Sequence, residues 1–338
     1  GVKTVAYYVC TTAVAVAIGL TFVNVIQPGA GRETLRDQPQ QTAEQAESEE
    51  APSVGQRIQE DVLPTIIQNP IMPGQSPIVV IFFAILLGVA LAVVGTEGEP
   101  ALTVFRSLDK AFITIIMGVM ALAPIGVFAL MSRAIAELGI DYVLTLAKYS
   151  FTVLLGLATH FVVLSCVIAP LFGRVSPTRF LRGMVQAFEV AFSTSSSAAT
   201  IPVTIDCVTR KVGANKNIAN FMVPIGATIN MDGTALYVTV ASLFVAQVYG
   251  IGLDLQAQVM VFLTAVLVSV GTAGIPGASI ALMSIILTSA GIPVEGIGIV
   301  VGVDRILDMS RTVINVTGDS VGAVVISRSE GELVAPEG

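Results

Sequence analysis

Six polar residues near the C-terminal end follow one another at helical spacing: Asp304, Asp308, Arg311, Thr312, Asn315 and Asp319. Their steps of four, three, one, three and four place all six on one side of a helix, because a turn takes about 3.6 residues. The positions between them are largely Ile, Leu, Val and Gly. Two uses compete for such a stripe. Arg311 can pair with Asp308 and lock the helix to a neighbour. One arginine, however, cannot neutralise three carboxylates together with Asp232, and the surplus negative charge calls for cations. Carboxylate and amide oxygens suit hard cations such as sodium, or a proton relay. A central guanidinium is a planar fork for a substrate carboxylate. Together these residues describe a site for a molecule bearing carboxylate and amino groups, taken up with cations.

The composition says what surrounds that helix. Of 338 residues, 54% are hydrophobic and 12% charged, there is no tryptophan, and the mean hydropathy is +0.84. Soluble domains carry about 25% charged residues, so the chain reads as an all-α polytopic membrane protein. The net charge of −7 and the lack of a basic stripe argue against a nucleic-acid partner. Cys10, Cys166 and Cys207 are too few and too scattered for a disulfide framework or a zinc site. Apolar runs over residues 4–26, 77–95, 112–131 and 143–172 are long enough to cross a bilayer, with a kink expected at Pro124. A charge at mid-membrane costs at least ~2.5–3.5 kcal/mol. The stripe must therefore face an internal polar space.

The second half carries the breaks. Residues 192–202 (FSTSSSAATIP) begin and end between basic segments, which predicts a re-entrant hairpin with a serine-rich tip. GATINMDGT, residues 226–234, sets Asn230 and Asp232 in the middle of an otherwise apolar span. VGTAGIPGAS, residues 270–279, interrupts the next run with Gly271, Gly274, Pro276 and Gly277, which predicts a second unwound tip. Paired interrupted segments point to a transporter site built from inverted repeats. Charge placement orients the chain. Residues 32–61 hold eight acids and three arginines and read as a flexible external loop. Basic residues in the short loops (Arg106, Lys110, Arg174, Arg179, Arg182, Arg210, Lys211, Lys216, Arg328) mark the cytoplasmic side, where the C-terminus also lies.

Other features carry less. His160, the one histidine, reads as a buried hydrogen-bonded imidazole rather than a proton carrier. A serine hydrolase would need it as base, with no partner set by spacing. An intramembrane aspartyl protease would use acids such as Asp232 and Asp308, but Arg311 one turn away works against a shared proton. The glycosylation sequon at Asn315 lies inside a membrane helix and should be silent.

SSSAATIP, GATINMDGT, GTAGIPGAS and DRILDMSRTVINVTGDS, in this order and spacing, resemble the four signature segments of the sodium–dicarboxylate (glutamate/aspartate) symporter family. The resemblance covers essentially the whole chain. It implies an elevator-type secondary transporter, not an enzyme, taking up L-aspartate or L-glutamate with sodium, multi-pass in the plasma (inner) membrane, and homotrimeric. A proton-coupled dicarboxylate symporter of the same fold is the alternative. The implied organisation is a transport-side helix (1–26), an acidic loop and connector (27–75), scaffold and trimerisation helices (76–139), a further transport helix (140–175) and the transport core (176–338). Arg311 matches the arginine that takes the substrate's side-chain carboxylate, with Thr234 beside it. Asp308 matches the acid that holds the amino group, with Thr312 adjacent. Asn315 and the first tip (Ser196, Ser197) match groups for the α-carboxylate, and Gly274, Ile275 and Pro276 of the second tip complete the substrate set. Asp319, Asn230, Asn315 and Gly226 resemble one sodium site. Asp232 and Asn230 with Thr11 and Thr12 resemble a second, and backbone oxygens around Thr228, Ser269, Val270 and Thr272 a third. No organic cofactor is implied.

The chain also departs from the family. Archaeal members carry an arginine where Ser195 stands, and animal members carry one where Met309 stands. Arg305, beside Asp304, is the remaining candidate for that charge. The family has two further helices before the first span found here, so the resemblance implies that this sequence lacks them.

Overall fold

A computed structural model describes residues 1–30, 77–122, 140–269 and 274–334, with scattered positions between 125 and 136. The acidic loop over 32–61, the kink expected at Pro124, and Val270 and Thr272 lie outside the described residues. No strand occurs among those described. The chain divides into two compact units, Gln40–Ile125 and the remainder, Gly1–Pro39 with Gly126–Gly338.

In the smaller unit, helix α2 (Pro77–Val94) is apolar throughout. A 3-10 turn (Gly95–Gly98) leads into α3 (Glu99–Met120). Here the structure corrects the sequence reading. Arg106 and Lys110 do not lie in a loop before a span at 112–131 but on α3 itself. Glu99, Thr103, Ser107, Lys110 and Thr114 recur every three or four residues and make one polar stripe, along which the hydroxyls bond back one turn. Arg106 reaches Glu99 two turns back at 2.7 Å. Charges clustered between apolar runs look like a loop, but their period is that of an amphipathic helix. The same correction holds for Arg179 and Arg182, which sit on a helix rather than before one.

The larger unit opens with α1 (Val2–Ile26), whose buried residues Tyr8, Thr11, Thr12, Ala15, Val16, Gly19 and Val23 fall at helical spacing along one face. Helix α4 (Ile140–Val162) continues through a π-helical turn (Val163–Ile168) to Ala169–Gly173. Then come α5 (Pro177–Thr194), α6 (Ser197–Asp206) with a π-helical end at Cys207–Val212, α7 (Lys216–Ile229) and α8 (Asp232–Val248). The series closes with α9 (Leu255–Ser269), α10 (Ala278–Ser289) and α11 (Ile297–Ser329). Every residue of α8 except Gln247 is buried, as expected of a helix apolar on all sides. Helix α11 touches α1, α4, α5, α6, α7, α8 and α10, so its polar stripe is enclosed by protein.

Contacts sort the elements between two ends. At one end Lys3 bonds Glu330 (2.6 Å), the Asn215 N–H bonds the Ser327 hydroxyl (2.9 Å), and the Val334 N–H bonds the Gly213 carbonyl (2.9 Å). At the other, Lys148 bonds the Gln27 carbonyl (3.0 Å) and Tyr142 the Ile299 carbonyl (2.7 Å). Gly173, at the close of α4, packs on Val324. The α5–α6 pair therefore starts and finishes at the first end. The α9–α10 pair starts after Tyr249 and finishes at Gly296, which packs on Val245 and Tyr249 at the second end. Two hairpins thus enter from opposite ends, and their tips meet: the Ser196 hydroxyl (2.7 Å) and the Ala198 N–H (3.2 Å) both donate to the Gly274 carbonyl.

Local chemistry makes each break. Ser195 ends α5 in the left-handed region (φ 52°), and Ser196 caps α6 by accepting from the Ala199 N–H at 3.2 Å. Between α7 and α8, Asn230 and Met231 leave helical geometry, and the freed Gly233 N–H donates to Asn315 Oδ1 at 2.8 Å. A side chain at Gly233 would collide with the Arg311 backbone, so glycine is what lets α8 and α11 approach here.

Candidate substrate and cation site

A small polar cavity lies where the tips meet. The first tip supplies Ser195 and Ser197, and the second supplies Gly274, Ile275, Ala278 and Ser279. Met231 and Thr234 come from the α7–α8 break, and Asp308, Thr312 and Asn315 from α11. Ser197, Thr234 and Ala278 all belong to first turns, so three helices direct their N-terminal ends at this space. Such ends carry partial positive charge and favour anions. Asp308 is the one carboxylate in the lining. The walls thus pair anion-favouring helix ends with a single acid, a pattern suited to a molecule carrying both charges.

Arg311 stands behind the cavity wall. Its Nη1 bonds Asp304 at 2.9 Å and its Nη2 bonds Asp308 at 2.7 Å, and the guanidinium lies 3.8 Å from the Tyr237 ring centroid. Charge-assisted bonds on two sides and a cation–π contact satisfy a cation that is 1% exposed. One of its three nitrogens stays unused: Nε is buried without a partner among the described residues. The second oxygen of Asp308 accepts from the Gly277 N–H of the second tip at 3.1 Å. Asp308 therefore joins the arginine to the tip.

Further along α11 lies a second cluster of different character. Thr12 bonds Asp232 Oδ1 at 2.7 Å, Thr11 lies 3.2 Å from Asn230 Oδ1 and 3.4 Å from Asp232 Oδ1, and Asn230 Nδ2 bonds Asp319 Oδ1 at 3.0 Å. His160 Nε2 is 3.1 Å from the other Asp232 oxygen. Asp232, Asp319, Asn230 and His160 are all buried. Neither carboxylate has a lysine or arginine partner among the described residues. A set of carboxylate, amide and hydroxyl oxygens from α1, the α7–α8 break and α11 is the donor chemistry of a hard cation. A side chain at Gly226 would collide with the Asp319 carboxylate, so this glycine lets α7 lie against the acid.

The structure brings most of the expected residues together. Ser197, Thr234, Gly274, Ile275, Asp308, Thr312 and Asn315 line the cavity. Ser196 and Pro276 do not: the Ser196 hydroxyl is spent on the tip-to-tip bond and the α6 cap. Thr11, Thr12, Asn230, Asp232, Asp319 and Gly226 gather as one cluster, while Asn315 sits in the cavity wall instead. Thr228 and Ser269 turn their hydroxyls back to their own helices, onto Ile225 and Val266. Arg305 is exposed on α11 and Met309 is outside the cavity lining. Sequence reasoning missed Asp304 as a partner of Arg311, Tyr237 beneath it, Tyr7 and Tyr8 bonding the Gly318 and Met222 carbonyls, and Ser279. Of these, Asp304 left a signal in its place on the α11 stripe and Ser279 in its place at the end of the second tip motif.

The pattern of the sodium:dicarboxylate symporter family matches residues 1–329. The chain belongs to this family. Its function is therefore transport across a membrane, not catalysis. The symporter is 34% identical to the proton/sodium-glutamate symport protein of Bacillus subtilis (strain 168), over 98% of this chain and 77% of the relative. It is 35% identical to the proton/glutamate-aspartate symporter of Escherichia coli (strain K12), over 98% and 76%. It is also 39% identical to the neutral amino acid transporter B(0) of Mus musculus, over 79% and 49%. These names differ in coupling ion and in substrate charge, so both questions fall to the residues of the symporter itself.

Proposed function

We propose that this symporter takes up L-aspartate or L-glutamate together with sodium. The observation that carries the reading is the pairing of a polar cavity, walled by three helix N-termini and Asp308, with buried Asp232 and Asp319 that no arginine or lysine among the described residues offsets. An acidic amino acid offers two carboxylates for the helix ends and the unused Arg311 Nε, and an ammonium for Asp308. It also brings one more negative charge into a region where four carboxylates face one guanidinium. Burying that charge without compensation is prohibitive. Sodium bound among Thr11, Thr12, Asn230, Asp232 and Asp319 removes the excess, and that is the physical reason for coupling. The relatives named for glutamate and aspartate support the substrate class.

In this reading residues 1–26, 140–175 and 176–338 form the part that carries substrate and 76–139 the scaffold, working as a homotrimer in the inner membrane by an elevator motion. The basic end, which holds Lys3 and Arg328, then faces the cytoplasm with the C-terminus, and residues 32–61 lie outside. One observation favours a second reading, proton coupling: the contact of His160 with Asp232 offers a place for a proton where sodium would otherwise bind.

Labelled aspartate uptake into proteoliposomes of the full-length protein separates the two, with a sodium or a proton gradient imposed alone. A sodium gradient without a proton gradient is expected to drive accumulation. Uptake driven by protons and indifferent to sodium would favour the second reading, and no uptake under either gradient would overturn both.

A further inference from the structure

The hairpin formed by α5 and α6 is strongly basic at its base, far from the cavity. Arg174, Arg179 and Arg182 lie where its first arm begins, and Arg210, Lys211 and Lys216 where its second arm ends and α7 begins. No aspartate or glutamate stands between Asp141 and Glu189, or between Asp206 and Asp232. The fold brings the two basic segments together. Arg179 donates to the Val212 carbonyl (2.5 Å), and Gly183 packs on Val212 and Lys211. Lys211 donates to Gln186 Oε1 (3.2 Å), one turn along α5 from Arg182. Of the acids that belong to this end, Asp206 pairs with Arg210 at 3.1 Å and Glu330 with Lys3 at 2.6 Å, which leaves Glu332. Arg174, Arg182, Lys211 and Lys216 are exposed and make no ion pair among the described residues. Like charges gathered on one surface repel, and a bound anion relieves them.

The apolar neighbours decide what kind of anion fits. Leu171 and Phe172 come directly before Arg174, and Phe221 lies about 7.5 Å along α7 from Lys216 at 1.5 Å per residue. Val5 and Val9 follow Lys3 on α1, whose first turn is tied to the same end through Glu330. All five of these apolar side chains are exposed. Three helices thus present an apolar band that borders the cations. A free inorganic anion would use the charges alone, whereas a phospholipid uses both, its phosphate on the cations and its acyl chains against the band. We infer that this end of the larger unit is a binding surface for anionic phospholipids. Arg174, Arg182, Lys211 and Lys216 take the headgroup phosphates, and Leu171, Phe172 and Phe221 lie against the acyl chains. Lipid held there anchors the base of the first hairpin at the membrane surface. The inference depends on neither the substrate nor the coupling ion proposed above, only on residence in a membrane.

The test is native mass spectrometry of the purified full-length protein in neutral detergent, titrated with dioleoyl phosphatidylglycerol or dioleoyl phosphatidylcholine. The two lipids share their chains and differ in net charge. Phosphatidylglycerol is expected to bind about 10-fold or more tightly than phosphatidylcholine, and raised salt should narrow the gap. Arg182→Gln, Lys211→Gln and Lys216→Gln should each weaken phosphatidylglycerol by about 5-fold and leave phosphatidylcholine unchanged. The triple variant should lose the preference altogether. Its Tm in lipid-free detergent should match the parent's, because the three side chains are exposed. Lys148→Gln removes a cation at the opposite end, where Lys148 bonds the Gln27 carbonyl, and should leave the preference intact. Equal affinity of the parent for the two lipids would overturn the inference, as would a preference that survives in the triple variant or is lost equally in Lys148→Gln. Displacement of phosphatidylglycerol by millimolar inorganic phosphate would overturn it too, by showing a site for a soluble anion instead.

Discussion

Two buried polar clusters share helix α11 and handle charge in opposite ways. Around Arg311 the protein supplies its own counter-charge: two carboxylates, one guanidinium and an aromatic face, all in contact. Around Asp232 and Asp319, the latter roughly 12 Å further along the helix than Arg311 at 1.5 Å per residue, the described residues supply only hydroxyls, an amide and an imidazole. The first cluster is nearly complete as it stands. The second holds two acids that no lysine or arginine among the described residues offsets. The contrast teaches that the stripe is not one site but two, with Asn315 between them, bonded to the α8 backbone. One site is closed by internal pairing and opens to a ligand through the cavity. The other is the cluster to which the proposed function assigns the cation.

The contrast can be broken first at Arg311. Arg311→Cys leaves Asp304 and Asp308 buried against each other, and removal of one member of a buried ion pair costs about 3–5 kcal/mol. The expected result is a clear fall in Tm measured without sodium or substrate, together with loss of measurable aspartate binding. An unchanged aspartate affinity would show that the arginine has no part in the substrate site. The smaller effect comes from the other cluster, and with the opposite sign. Asp319→Asn removes an uncompensated charge while keeping an oxygen to accept from Asn230. Its Tm in sodium-free buffer should stay level or rise. The sodium concentration for half-maximal aspartate binding should increase by about 10-fold or more, since a charged ligand to the cation is gone. A fall in Tm like that of Arg311→Cys would mean that the two clusters do not differ as described.

Much of this was legible in the sequence, for reasons that also mark its limit. The stripe on α11 and the break at Asn230–Met231 are written in residue type and period, because charge in an apolar run and Asn-Met-Asp-Gly in a helix have few other meanings. The two tips were visible as small-residue runs. Period gives a face but not a partner. That Asp304 shares Arg311 with Asp308, that Tyr237 lies beneath the guanidinium, and that His160 meets Asp232 are contacts between distant segments, and no local pattern encodes them. The reading of His160 as a buried hydrogen-bonded imidazole agrees with the structure, which adds the partner. Arg106 and Lys110 were misplaced for the converse reason: a cluster of charges outweighed the helical period that Ala101, Phe105, Leu108 and Phe112 keep on the opposite, apolar face of α3.

The central claim is that the acids around Asp232 and Asp319 are a sodium site coupled to substrate binding. The most direct measurement is the aspartate Kd of the full-length protein at several sodium concentrations, with choline holding ionic strength constant and pH fixed. The account predicts a Kd that falls steadily as sodium rises, with little binding in choline alone. The same Kd at every sodium concentration would contradict it.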